Sequence, residues 1–194
     1  MSAATLHAGD GRRKYLTATE RTAFLAAAEA AEREVRTICA LLATSGCRVS
    51  EALALTADRV DLVAGVVIFE CLKKRRPGIY RAVPVPPALL NDLDLAHGLR
   101  KAHKRADGGR GLRLWGWSRM TAWRRVTEVM DAAGIKGPHA CPKGLRHGFG
   151  VAAVSAGIPL NLAQRWMGHA QLSTTAIYAE AVGEEERAIA SRMW

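Results

Sequence analysis

One stretch of this chain departs from helical periodicity, and it limits what the rest can build. R-V-D-L-V-A-G-V-V-I-F-E-C-L (59–72) is β-branched and interrupted by Ala64-Gly65, and I-Y-R-A-V-P-V-P (79–86) follows the basic turn K-K-R-R-P-G, so three short strands are expected. Pro84 and Pro86 put the last of them at a sheet edge. Elsewhere the pattern is helical. Thr17 or Thr19 caps a first helix running to about Ala31, and a second covers 33–44, with Val35, Ile38, Leu41 and Leu42 on one face. Gly46 stops it, and Arg48 to Leu55 starts a short one. Further helices are expected from Pro87 to about His103, from Ser118 to Ala133, and over 144–156, 159–167, 171–181 and 184–193. The fold class that follows is mainly α with a small three-stranded antiparallel β-sheet, an α+β arrangement.

A chain of 194 residues suits one compact domain. No apolar run approaches the roughly 20 residues needed to span a bilayer. The N-terminus lacks the apolar core of a secretory signal, so a cytoplasmic, nucleoid-associated location is expected. Cys39, Cys47, Cys71 and Cys141 are scattered without a C-x-x-C pair, which argues for reduced thiols, and no two histidines form a metal pair. No metal and no cofactor is expected. Residues 1–14, rich in Gly, Ala and charge, are expected to form a disordered basic leader, with the folded domain over 15–182 and a C-terminal helix or tail over 183–194.

Charge narrows the class of partner. There are 28 Lys and Arg against 18 Asp and Glu, a formal +10, and the cations crowd into Lys73–Arg81 and Arg100–Arg125. Such an excess calls for a polyanion, of which nucleic acid is the commonest, with a merely solvated basic surface as the alternative. The phosphate-contacting set expected from these runs is Lys74, Arg75, Arg76, Arg81, Arg100, Lys101, Lys104, Arg105, Arg119, Arg124 and Arg125.

Between Lys143 and Tyr178 a Lys, an Arg, a His and a Tyr recur at spacings that packing alone does not require: K-G-L-R-H at 143–147, G-H at 168–169, and L-S-T-T-A-I-Y ending at Tyr178. With R-V-S-E at 48–51 and the lysines of the basic turn, this ordered set resembles the tyrosine recombinase (phage integrase) family over about residues 17–181. The resemblance implies that Arg48 and Arg146 hold the non-bridging oxygens of a phosphodiester by paired, charge-assisted hydrogen bonds. Tyr178 attacks phosphorus and leaves a 3′-phosphotyrosyl link, without ATP. Lys73, with Lys74 as alternative, protonates the leaving oxygen. His169 donates to or positions the phosphate. Lys143 stands where the family usually has His; it is given a phosphate-stabilising role, and the proton acceptor for Tyr178 stays open. His147 is expected to point inward and brace its helix. For Arg48 the alternative is a surface salt bridge to Glu51, and for Tyr178 a core tyrosine beside Ile177.

The resemblance is to minimal, single-domain members such as the fimbrial phase-inversion recombinases, without a helical clamp domain ahead of the catalytic one. It implies a homo-tetramer on two double-stranded DNA sites, exchange of the tail after Gly183, and an accessory DNA-binding protein. Two other readings share the fold: a type IB topoisomerase, and a non-catalytic DNA-binding regulator.

Overall fold

Helix α2 (Arg33–Ser45) is buried over most of its length, and the molecule is packed around it: Val35, Ile38, Cys39, Leu41, Leu42 and Ala43 are all buried. The computed structural model describes residues 5–71 and 78–180, with residues 187, 190, 191 and 193. Helix α1 (Ala18–Glu29) lies against α2 and starts at Thr17, where a capping box forms: Thr17 Oγ1 accepts from the Glu20 amide at 3.3 Å, and Glu20 accepts from the Thr17 amide at 3.0 Å.

The short helix α3 (Val49–Leu53) leads into the sheet. Strands β1 (Val60–Asp61), β2 (Val66–Glu70) and β3 (Tyr80–Pro84) form an antiparallel sheet in that order, with Val67 opposite Val83 and Phe69 opposite Arg81. Alternation puts Val67, Phe69 and Val83 inward, and β3 is the edge strand that its prolines require. The helix expected from Pro87 to His103 is broken: Gly98, at φ +64°, ends α4 (Pro87–His97) and starts α5 (Leu99–His103).

Helix α6 (Arg119–Ala132) is capped by Ser118, and α7 (Pro142–Ser155) crosses α2. Helix α8 (Leu160–Met167) ends at Gly168, and α9 (Ser173–Ala176) runs into a 3-10 turn at Ile177–Glu180 instead of one continuous helix over 171–181. The helix expected over 184–193 falls largely outside the described residues.

Two apolar clusters result. The large one fills the space between α1, α2, α4, α6 and the sheet, and a smaller one holds Leu6, Tyr15, Phe149, Val151, Met167, Ile177 and Tyr178. Leu6 corrects the expectation of a disordered leader. Residues 5–15 double back, with His7 paired to Arg13 and the Lys14 amide donating to Leu6 O at 2.8 Å, and Leu6 is only 2% exposed. Burying its side chain gives the segment a reason to fold that composition does not reveal.

Candidate active site

The site is assembled where α3, α7, α8 and the turn after α9 meet. Arg48 is the N-cap residue of α3, in extended backbone, so its side chain leaves the helix end rather than lying along it. Glu51, one turn on, takes both the Arg48 amide at 2.9 Å and its guanidinium at 2.8 Å. The salt bridge and the site role were alternatives in the sequence; here the pair sits at the site, with the Arg48 side chain 23% exposed and that of Glu51 fully buried.

Arg146 comes from the first turns of α7 and is buried. It donates to Gly46 O at 2.5 Å and to Met167 O at 2.7 Å, tying the end of α2 to the end of α8. Gly46 makes this possible: it is left-handed at φ +61°, and a Cβ there would sit 2.3 Å from the Phe149 ring. Burial and the neighbouring Arg48 lower the Arg146 pKa to about 10, which leaves it charged at neutral pH.

His169 follows the α8 C-cap, and its Nδ1 lies 2.9 Å from Thr175 Oγ1. Its ring stacks toward Tyr178, with centroids 6.2 Å apart and planes 19° from parallel. Burial, with Arg146 and Arg48 nearby, pushes its pKa down to about 3. Tyr178 is 1% exposed, and its Oη lies 3.1 Å from His147 Nδ1. Burial raises the phenol to about 12, against the pull of Arg146 and Arg48. His147 is held neutral, at about 4, by burial and by Lys143 and Arg146. Lys143 is exposed one turn before it on α7.

Two guanidiniums, two neutral imidazoles and a phenol therefore converge from segments 48, 146–147, 169 and 178. The sequence profile of the phage integrase family matches residues 14–185. The chain belongs to the phage integrase (tyrosine recombinase) family. Similar proteins include tyrosine recombinase XerD of Mycobacterium leprae, 33% identical over 155 residues, which cover 74% of this chain and 46% of that protein. XerD of Pseudomonas aeruginosa is 34% identical over 151 residues (74% and 48%), and XerA of Pyrococcus furiosus 30% over 156 (77% and 51%). The chain spans about half the length of the curated relatives it matches. The crystal structure of XerA recombinase shares the fold at a TM-score of 0.75 and 23% identity, over 92% of this chain and 64% of that one. That of XerH bound to its difH substrate does so at 0.72 and 20%, over all of this chain and 56% of that one.

Within this phage integrase fold, Arg48, Arg146, His169 and Tyr178 are brought together, whereas Lys73, Lys74, Arg75 and Arg76 lie outside the described residues. Arg81 is a correction. It was expected on the DNA-contacting surface, but β3 turns it inward to 6% exposure, where Glu51 neutralises it. Of the other cations, Arg100, Lys101, Lys104, Arg105, Arg119 and Arg124 are exposed and Arg125 is half-buried. Several are internally paired: Arg100 with Asp94, Arg105 with Asp107, and Arg124 and Arg125 with Glu128.

His147 is the second correction. It points inward as expected, but rather than only bracing α7 it meets the tyrosine, because the 3-10 turn that carries Tyr178 packs on α7. Its one signal in the sequence is its place beside Arg146. Among the described residues no helix is long and apolar enough to cross a membrane, and no group of three or more His, Cys, Asp and Glu side chains is gathered to hold a metal.

Proposed function

We propose that this chain cleaves and rejoins duplex DNA through a 3′-phosphotyrosyl intermediate at Tyr178, as a site-specific recombinase. The observation that carries the reading is the meeting of Tyr178 with two guanidiniums and two neutral histidines.

In the cleavage step the Tyr178 Oη–phosphorus bond forms as the phosphorus–O5′ bond breaks. The phenolic proton passes to His147 Nδ1, already at hydrogen-bond distance and neutral, so it can accept. Arg48 and Arg146 balance the charge that builds on the non-bridging oxygens. Thr175 fixes His169 through Nδ1, which leaves Nε2 for a phosphate oxygen. Lys143 adds positive charge at the rim, and Lys73, with Lys74 as alternative, supplies the proton to O5′. Rejoining reverses each transfer: a 5′-hydroxyl attacks phosphorus and Tyr178 leaves, so neither ATP nor metal is consumed.

Because Tyr178 is buried, engagement of DNA must uncover its oxygen to the phosphate while the His147 contact is kept. The exposed cations provide the phosphate contacts, and a tetramer on two DNA sites, with tails exchanged after Gly183 and an accessory protein adding sequence readout, completes the proposal. The test is covalent trapping on a pool of nicked suicide duplexes with randomised arms. Wild type should give a protein–DNA adduct that survives denaturant, and Tyr178→Phe should give none; a Tyr178→Phe adduct, or an inert wild type across the pool, would overturn the reading.

A further inference from the structure

Arg81 has more partners than neutralising one carboxylate requires. Its Nη2 donates to Glu51 Oε2 at 2.7 Å and its Nη1 to Glu51 Oε1 at 3.2 Å, while its Nε donates to Trp166 O at 2.7 Å. Nη1 also lies 3.4 Å from Cys71 Sγ, and the guanidinium covers the Phe69 ring, 5.1 Å from its centroid. Gly168 leaves room for it, since a Cβ there would meet the guanidinium carbon at 3.0 Å. One side chain, carried on β3, thus touches the α3 start, the α8 end that precedes His169, and the neighbouring β2 leg of the hairpin.

Glu51 shows what this arrangement does. Its Oε1 accepts from Arg48 Nη1 and Arg81 Nη1, and its Oε2 from the Arg48 amide and Arg81 Nη2, so four donors fill the carboxylate. With Arg48 alone, Glu51 would orient that guanidinium but also cancel its charge. With Arg81 added, the cluster is two cations and one anion. Arg48 stays oriented and the group keeps a net positive charge for an anion to meet. A buried ion pair is by itself weak evidence for stability, so the number of segments joined is the more telling feature.

We infer that Arg81 is a positioning residue of the recombinase site: it holds Glu51, and through it Arg48, while pinning the α8 end that carries His169. This rests on the proposed cleavage reaction. Lysine keeps the charge but has no planar fork to span both Glu51 oxygens and Trp166 O, so Arg81→Lys isolates geometry from charge.

The experiment measures single-turnover cleavage at saturating DNA, using a sequence recovered from the suicide-duplex pool, alongside DNA affinity and melting temperature. Arg81→Lys should cleave at least about 10-fold more slowly with DNA affinity within about 2-fold of wild type. Since Arg81 acts in part through Arg48, its effect should be clearly smaller in an Arg48→Lys background than in wild type, the remainder being what it exerts through the α8 end. The double variant Glu51→Gln with Arg81→Met removes both buried charges and keeps the volume; it should stay slow, whereas a purely charge-neutralising Arg81 would let it recover. A wild-type rate for Arg81→Lys, or full additivity with Arg48→Lys, overturns the inference while leaving the nucleophile assignment intact. A wild type that cleaves nothing overturns the cleavage reading instead. The positioning claim then still has its own readout: the Arg48 Nε–H signal in side-chain NMR should be ordered in wild type and broadened in Arg81→Lys, and an unchanged signal refutes it.

Discussion

Arg146 places two of its five N–H donors on the carbonyls of Gly46 and Met167, which holds its plane fixed and leaves the others for a phosphate. Arg146→Lys should therefore lower single-turnover cleavage by about 10²–10³-fold, the range lost with one preorganised donor, with a much smaller effect on DNA affinity. Equal losses in both would mean that Arg146 serves binding only. His147→Ala should also slow cleavage, by about 10²-fold, and the pH–rate profile between pH 6 and 8 should show no histidine limb in wild type because His147 is already neutral there. That Arg48, Arg146, His169 and Tyr178 would come together was legible in the sequence because each residue type has a chemical reason to stand in its motif. The burial of Arg81 and the contact of His147 with Tyr178 were not. A cation in a basic run reads as surface until strand alternation turns it inward, and a histidine 31 residues from a tyrosine gives no sign that a 3-10 turn brings the two together.

The helices and strands were readable where capping, proline and periodicity agree, as at Thr17, Gly46, Pro87 and Ser118. They were less so where a glycine could either continue or stop a helix, as at Gly98, or where the last turn tightens, as after Ala176. The N-terminal hairpin was misread because its Gly and Ala content hides one well-placed apolar side chain. Leu6 shares a cluster with Tyr178, so the hairpin belongs to the wall that encloses that ring. Leu6→Ala should cost about 2 kcal/mol, the low end of large-to-small core substitutions, measured by chemical denaturation. A variant as stable as wild type would mean that the hairpin does not hold that wall.

At the scale of the whole molecule, charge and burial set the response to salt and acid. If Lys101 and Lys104 each neutralise one phosphate, replacing either with Ala should reduce the slope of log affinity against log salt by about one, uniformly across sequences. An unchanged slope would remove that lysine from the DNA-contacting set. His97 and His147 are pushed down to about 4 and His169 to about 3, chiefly by burial. Well above pH 6.5 these rings are neutral folded or unfolded, so they add no pH dependence. Below it the unfolded chain takes up protons that the folded chain refuses, and stability falls until the folded values near 4 and 3 are reached. By pH 5 each should cost about 1–2 kcal/mol, so denaturation at pH 5 should show about 3–6 kcal/mol less stability than at pH 7, and equal values would contradict the buried, neutral histidines. Peptide mapping of the trapped adduct tests Tyr178 as the proposed nucleophile most directly. After nuclease and protease digestion, mass spectrometry should find the nucleotide remnant on the peptide containing Tyr178, attached through a 3′-phosphate; a remnant on any other residue would contradict it.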